Sequence, residues 1–254
     1  MTATNRFNPS ELRIRLLDGD MPALARAITL IDNEQAGASA LLQALPDKPR
    51  TTPVIGFTGA PGVGKSTLIN AYISACRRKE LRIAVVSVDP SSPISGGAIL
   101  GDRLRMSEHI GDDGVYIRSV AARGHLGGLC PGIDRIVRLI DAAGWDIIVL
   151  ETVGTGQSEI EIASIADVKI VVNAPGMGDA IQAMKAGVLE IADILIVNKA
   201  DLPQAGHTTR ELRAMQKLRS GSASDVEVIE TVATKHNGID ELSAAIDRCR
   251  DRNK

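Results

Sequence analysis

The fold of this chain can be inferred from nine residues: Gly59-Ala60-Pro61-Gly62-Val63-Gly64-Lys65-Ser66-Thr67. It matches the pattern G-x-x-x-x-G-K-[ST], with an apolar run before it (54–59, VIGFTG) and an amphipathic stretch after it. The glycines let the backbone curl so that successive N–H groups point at phosphate oxygens, and a helix that begins there adds the positive end of its dipole. We therefore predict that all nine residues bind a nucleoside triphosphate. Lys65 would reach the β- and γ-phosphates, and the Ser66 hydroxyl would ligate Mg²⁺.

From this region to the end of the chain, short β-branched runs alternate with longer amphipathic stretches. The runs are 54–59, 83–88, 115–120, 146–151, 168–174, 193–198 and 226–231. Continuous apolar strands indicate a sheet covered on both faces, and strand–helix alternation indicates a doubly wound, mostly parallel α/β sheet. In such folds ligands bind at the carboxyl ends of the strands, so the site residues are expected directly after each run.

The region before the first strand has a different pattern. Residues 9–45 carry apolar side chains at helical spacing, and a polar, proline-containing stretch, PDKPRTTP, follows them. We predict a short N-terminal helical extension over residues 1–50 and a nucleotide-binding domain over residues 51–254.

The sixth strand ends in Asn198-Lys199-Ala200-Asp201, an [NT]-K-x-D sequence that is typical of guanine selection beside a phosphate loop. The Asp201 carboxylate accepts hydrogen bonds from N1–H and the exocyclic amine of guanine, a donor pair that adenine lacks. Asn198 would brace the loop, and the aliphatic part of Lys199 would cover one face of the base. After the last strand, the backbone amides of Val232, Ala233 and Thr234 are candidates for guanine O6. The predicted ligand is therefore GTP, with GDP as its product.

Three acidic residues are candidate magnesium ligands beside Ser66: Asp89, Asp102 and Glu151. A carboxylate at the end of an apolar strand suits a hard cation that prefers oxygen ligands. In the sequence Glu151-Thr152-Val153-Gly154, the N–H of Gly154 could lie at a γ-phosphate. The candidate catalytic residues are therefore this glycine together with Lys65 and Asp89. Thr155 stands where Ras-like GTPases have the glutamine that orients water, which predicts slow intrinsic hydrolysis and stimulation by a partner.

The composition disfavours other classes of partner. Lysine and arginine number 29 against 31 acids, and only 2% of residues are aromatic, which is unlike most nucleic-acid binders. No apolar run approaches the roughly 20 residues that span a bilayer, and the first ten residues lack the apolar region of a secretory signal. Three dispersed cysteines form no CxxC pair and suit a reducing compartment. We expect a cytoplasmic protein without a nucleic-acid or membrane partner.

Several further motifs occur in a fixed order along the chain: DPSSP (89–93), GDRLRM (101–106), ETVGTGQSE (151–159), PGMGDAIQAMKAG (175–187) and NKAD (198–201). With the phosphate loop, this order resembles the MeaB/ArgK-type GTPases of the SIMIBI class, relatives of HypB and UreG, from Pro53 to Asp240. The resemblance implies a GTPase chaperone of an adenosylcobalamin-dependent acyl-CoA mutase, such as methylmalonyl-CoA mutase. Such a protein gates delivery of the cofactor and protects the mutase, without itself binding cobalamin.

The resemblance also assigns residues. It implies that Ser66, Asp89, Asp102 and Glu151 form the magnesium site. It further implies two switch segments that report the nucleotide state to the mutase, with these residues: Arg123, Gly124, Gly127, Gly176, Gly178, Asp179, Gln182 and Lys185. The chain ends at Lys254 without the helical arm that builds the family's homodimer. We therefore expect either a homodimer through another surface or a complex with the mutase alone.

Two alternatives stay open at this point. Cys130-Pro131 is similar to part of the Cys-Pro-His motif of UreG, and His125 and Cys130 could bind a metal, which would make the chain a metallochaperone of the HypB/UreG kind. A small-molecule kinase would use the same phosphate loop, but no acceptor pocket with a base is identifiable.

Overall fold

A computed structural model describes residues 8–89, 108–122, 132–152, 162, 164–176, 191–217 and 226–252. These residues form one seven-stranded sheet and seven α-helices. The strands are β1 (Val54–Thr58), β2 (Ile83–Asp89), β3 (Val115–Ala121), β4 (Ile147–Glu151), β5 (Val168–Asn173), β6 (Ile194–Val197) and β7 (Glu227–Glu230). The helices are α1 (Pro9–Leu17), α2 (Met21–Asp32), α3 (Ala38–Ala44), α4 (Lys65–Arg77), α5 (Ile133–Ala142), α6 (Ala205–Lys217) and α7 (Ile239–Arg252), with a 3₁₀ turn at Ala233–Lys235.

The sheet has the strand order β3-β2-β4-β1-β5-β6-β7, and all of these neighbours pair in parallel. The predicted parallel α/β fold is therefore confirmed. Strand β1 lies in the centre between β4 and β5, and every one of its residues is buried. The order changes direction at β1, so the loop that follows β1 opens into the crevice where ligands of such sheets bind.

Each face of the sheet packs against its own layer of helices. Val85 of β2 belongs to the apolar cluster under α4 and α7, whereas its neighbour Val86 belongs to the cluster under α1, α2, α3 and α5. Successive residues of a strand point to opposite faces, so strands covered on both sides must be apolar throughout. This explains the continuous apolar runs in the sequence.

The N-terminal helices share the second of these clusters with the sheet. Leu16, Leu24 and Leu41 are fully buried in the same cluster as Val86. The predicted helical extension is thus helical and packs directly on the sheet. The predicted division between residues 50 and 51 stays a prediction.

The stretch between α3 and β1 is fixed by two carboxylates. Asp141 Oδ1 accepts hydrogen bonds from the backbone N–H groups of Thr51 (3.0 Å) and Thr52 (2.8 Å). Asp167 accepts a bidentate pair from Arg50 at 2.6 and 2.7 Å. The entry into β1 is therefore held in place by side chains from α5 and from the start of β5.

Among the helices that the structure describes, none has both the length and the apolar character needed to cross a bilayer.

Candidate nucleotide-binding site

A cleft of about 400 Å³ opens at the carboxyl ends of β1, β2 and β4. It is lined by Pro61, Gly62, Gly64, Lys65, Ser66, Thr67, Val88, Glu151, Thr152 and Lys199. Seven of these ten residues were predicted from the sequence as ligands of GTP or of magnesium, and Lys199 was predicted to cover the base. Four segments that are distant in sequence, the phosphate loop, the end of β2, the end of β4 and the loop after β6, thus meet at the predicted edge of the sheet.

The loop between β1 and α4 has a backbone that only glycine tolerates at two positions. Gly59 has φ +141°, and a Cβ there would lie 2.1 Å from the carbonyl oxygen of Val172. Gly64 has φ +91°, and a Cβ would lie 2.6 Å from Asn198 Nδ2. Gly62 also has a positive φ, +82°, but a Cβ there would meet no atom within 4 Å. The outer two glycines therefore permit close contact between this loop and the strands behind it.

Lys65 is the first residue of α4, and its side chain turns back into the loop. Its Nζ donates hydrogen bonds to the carbonyl oxygens of Gly59 (2.7 Å) and Ala60 (3.2 Å), and the residue is buried. A buried ammonium group requires oxygen partners, because an unpaired buried charge is very costly. The loop carbonyls supply such partners here.

Ser66 and Glu151, which both line the cleft, are hydrogen-bonded to each other. Ser66 Oγ donates to Glu151 Oε1 at 2.8 Å, and Ser87 Oγ donates to Glu151 Oε2 at 3.2 Å. Asp89, the last residue of β2, is also buried and lies two residues beyond Ser87 on the same face of the strand. One hydroxyl and two carboxylates are oxygen donors of the kind that Mg²⁺ prefers, so this part of the predicted magnesium site fits the ion chemically.

Asn198 connects the phosphate loop with the loops that follow β6 and β7. Its Nδ2 donates to the carbonyl of Val63 at 3.0 Å, and its Oδ1 accepts from Thr231 Oγ1 (3.1 Å) and Ala233 N (3.2 Å). Bonds of this kind are what a bracing residue needs, and the role of Asn198 in nucleotide binding stays a prediction. The Ala233 amide, which we predicted to face guanine O6, is directed at Asn198 in this structure; Val232 and Ala233 are buried and Thr234 is exposed.

Two further residues of the guanine-selecting sequence, Lys199 and Asp201, follow β6 and are exposed, and Lys199 lines the cleft. Lys199 has a left-handed backbone (φ +58°), and its Nζ donates to Gly62 O at 2.7 Å, so its chain crosses from β6 to the phosphate loop. The Asp201 carboxylate accepts a hydrogen bond from Lys235 Nζ at 2.8 Å. This bond holds the pKa of Asp201 below its ordinary value, so the carboxylate is ionised and ready to accept at neutral pH.

Sequence reasoning missed three contacts at the site. Ser87 and Lys235 had no motif around them, and only strand register and the turn after β7 bring them to Glu151 and Asp201. Thr152 adds a third, since its Oγ1 donates to Thr58 Oγ1 at 3.0 Å and ties the end of β4 to the end of β1.

Several predicted residues lie outside the part of the chain that the structure describes. These are Asp102, Arg123, Gly124, Gly127, Gly154, Gly178, Asp179, Gln182 and Lys185, as well as His125 and Cys130 of the nickel alternative. Of the switch residues, Gly176 is described; it has φ +79° and open space around it. Within the described ranges, no three His, Cys, Asp or Glu side chains form a metal-binding group.

The fold and the phosphate loop define a P-loop nucleoside triphosphatase. Residues 24–254 match the family described as methylmalonyl-CoA mutase-associated GTPase MeaB. The chain therefore belongs to the MeaB family of GTPases, as the order of its motifs predicted. The match begins inside α2, so it includes part of the N-terminal helical region as well as the sheet.

Similarity to individual known proteins supports the assignment to this family. A candidate GTPase of Pyrococcus abyssi is 44% identical over 236 residues, which cover 91% of this chain and 73% of that protein. The GTPase ArgK of Escherichia coli is 41% identical over 191 residues, 74% of this chain and 58% of ArgK. A crystal structure described as an LAO/AO transport system kinase superposes with a TM-score of 0.73 at 26% identity, over 99% of this chain and 82% of that one.

Proposed function

We propose that this GTPase is a chaperone of an adenosylcobalamin-dependent acyl-CoA mutase, whose cofactor delivery and protection it gates according to the bound nucleotide. The family match over residues 24–254 carries this proposal, since that family is described by its association with methylmalonyl-CoA mutase. The described part of the cleft supports it with a glycine-rich loop and a lysine that suit phosphates, and with oxygen donors that suit a cation. Cobalamin is cargo of the partner here and needs no site on this chain.

The phosphate loop would hold the triphosphate. The backbone of residues 59–67 curls around the cleft, and the N-terminus of α4 points into it. Lys65 would exchange the carbonyls of Gly59 and Ala60 for β- and γ-phosphate oxygens. The exchange favours the bound state, because anionic phosphate oxygens are stronger acceptors for an ammonium group than neutral carbonyls.

Ser66, Asp89 and Glu151 would hold Mg²⁺, together with Asp102. When bound, Mg²⁺ neutralises negative charge on the β- and γ-phosphates. Ser66 already has its hydroxyl at this position, and Glu151 can keep its second oxygen on Ser87. We assign Lys65, Gly154 and Asp89 to the catalytic step, in which water displaces GDP from the γ-phosphorus. Because Thr155 replaces a water-orienting glutamine, the step is expected to be slow without the partner.

Guanine would be selected by Asp201. Its ionised carboxylate offers two acceptor oxygens, which match the N1–H and amine donors of guanine. Lys199 would lie over one face of the guanine base. Asn198 would keep the loops that follow β6 and β7 next to the phosphate loop.

The link from nucleotide to mutase would begin at the ends of β2 and β3. Asp89 and Ala121 are paired in register, and the Ala122 N–H donates to Asp89 O at 2.9 Å. The predicted switch residues start at Arg123, immediately after this contact. A change at Asp89 on nucleotide binding is therefore one residue pair away from the first switch segment.

We also propose that the protein works in the cytoplasm, where Cys76 and Cys249 would stay as the free, buried thiols seen here.

Phosphate release from GTP by the purified protein, measured with and without an adenosylcobalamin-dependent acyl-CoA mutase, tests the proposal. We expect slow release alone, faster release with the mutase, and a complex on size-exclusion chromatography whose stability differs between GDP and a non-hydrolysable GTP analogue. Lys65→Ala should lose release under both conditions. Unchanged hydrolysis and no complex with any acyl-CoA mutase tested would overturn the chaperone role. The same preparation addresses the two alternatives, through nickel titration and through transfer of phosphate to amino acids.

A further inference from the structure

The carboxylate of Glu151 accepts one hydroxyl on each of its two oxygens. Ser66 of α4 donates to Oε1 and Ser87 of β2 donates to Oε2. All three residues are buried, with 3% of Glu151, 4% of Ser66 and 1% of Ser87 exposed, so water has little access to replace either donor. No sequence motif assigned a role to Ser87.

The sheet itself places Ser87 beside Glu151. Strands β2 and β4 pair in parallel with Ser87 directly opposite Glu151. Paired residues on neighbouring strands point to the same face, and here that face lies under α4, which carries Ser66. The position of Ser87 is therefore set by backbone hydrogen bonds on both strands rather than by a flexible loop.

We propose that Ser87 is a positioning residue for the magnesium site, which acts by fixing the rotation of the Glu151 carboxylate. The last torsion of a glutamate is broad and roughly two-fold, so a carboxylate held at one oxygen still turns. The Ser87 hydrogen bond removes that freedom and directs Oε1 toward Ser66. When the Ser66 hydroxyl turns to a bound cation, Ser87 continues to hold Oε2.

This inference rests on the proposed magnesium–GTP site. The loss of metal affinity expected on removing the Ser87 hydroxyl can be estimated from other metal sites. Groups that orient a metal ligand typically contribute about 10- to 100-fold to metal affinity. Loss of the Ser87 hydroxyl should therefore weaken the magnesium dependence of nucleotide binding without removing any group that contacts the nucleotide.

The test measures the affinity of a fluorescent GTP analogue over a series of Mg²⁺ concentrations, and in EDTA. For Ser87→Ala we expect the Mg²⁺ concentration at half effect to rise about 10-fold or more, with the affinity in EDTA unchanged. Ser87→Thr keeps the hydroxyl and should restore the magnesium response. Thermal denaturation of each variant reports whether it is folded.

A matched control lies on the next strand. Ser119 of β3 pairs in register with Ser87 and is also buried, but its hydroxyl has no hydrogen-bond partner among the residues described. Ser119→Ala removes an equivalent buried hydroxyl from the same row and should leave the magnesium response unchanged. An equal loss in Ser87→Ala and Ser119→Ala would mean a general packing effect and would overturn the inference.

Glu151→Gln separates this inference from the proposed function. If Glu151→Gln weakens the magnesium response and Ser87→Ala behaves like the unmodified protein, the magnesium site stands and the role of Ser87 is wrong. If the unmodified protein shows no magnesium response, or Glu151→Gln retains all of it, the proposed magnesium site itself is wrong.

Discussion

The side-chain amide of Asn198 donates a hydrogen bond from Nδ2 to the carbonyl oxygen of Val63 at 3.0 Å, across 135 positions of sequence. Its other end accepts from Thr231 and Ala233. One side-chain amide therefore connects the phosphate loop with the loops that follow β6 and β7. Because Asn198 is only 2% exposed, water cannot take over these bonds if the side chain is removed.

Asn198→Ala should lower both stability and guanine-nucleotide affinity. It removes the partner of the Val63 carbonyl, the Thr231 hydroxyl and the Ala233 N–H, for which we expect a loss of about 2–3 kcal/mol in the free energy of unfolding. Urea denaturation and GTP binding measure the two effects. Asn173→Ala is the matched control, since Asn173 is a buried amide at the end of the adjacent strand whose Nδ2 has no partner within the described part of the chain. Equal losses in both variants would contradict the bracing role.

Two glycines of the phosphate loop should respond very differently to alanine. Gly59→Ala drives a Cβ into the carbonyl oxygen of Val172, which is backbone of a buried strand and cannot move aside. We expect a loss of more than about 3 kcal/mol or failure to fold. Gly62→Ala has open space and only its positive φ to oppose it, for a cost of about 1–2 kcal/mol. Chemical denaturation compares the two directly, and similar losses would mean that the contact with β5 is not the cause.

The motifs and strands could be predicted because local sequence determines them. Glycine, lysine and serine at fixed spacing define a phosphate loop, and apolar runs define strands buried on both faces. Strand ends were predicted less well: the run 193–198 contains β6 at Ile194–Val197, because the pattern shows burial and not pairing.

The contacts between segments could not be predicted in the same way. Ser87 reaches Glu151 only because β2 and β4 are neighbours in a particular register, and one residue of slip would put Ser87 on the other face. Lys235 reaches Asp201 through the turn after β7, where His236 has a left-handed backbone. Such contacts depend on the assembled sheet and leave no local sequence signal.

Asp201→Asn should weaken GTP binding and reduce discrimination against other purine nucleotides. The variant replaces an ionised acceptor pair by an amide with one acceptor and one donor group, which faces the guanine amine unfavourably. We expect GTP affinity to fall by about 10-fold or more, and inosine and adenosine triphosphates to compete better than before. Competition binding measures this. Asp240→Asn, at an exposed acid paired with Arg78, should change neither. Retained guanine preference in Asp201→Asn would show that the base lies elsewhere.

Stability at acidic pH should depend on the carboxylate that anchors the entry into β1. Burial opposes ionisation of Asp167, but hydrogen bonds from Arg50 and from the backbone N–H of Val54 outweigh it, and the pKa of Asp167 lies below its ordinary value of 3.8. A carboxylate with a lowered pKa in the folded state binds protons less readily than in the unfolded chain. Its stabilisation is therefore complete above the unfolded pKa and is lost as pH falls through the folded one.

Asp167→Asn should lower the free energy of unfolding by about 1–2 kcal/mol at pH 7, since the Arg50 pair is partly solvated and is discounted accordingly. The difference from the unmodified protein should stay constant down to about pH 5 and shrink below it, because protonation of Asp167 then removes the charge that the variant already lacks. Urea denaturation at stepped pH measures this. Asp47→Asn, at an exposed carboxylate with no hydrogen bond to the residues described, serves as the control. A difference that persists undiminished at the lowest accessible pH would mean that packing of the amide, and not the charge of Asp167, is responsible.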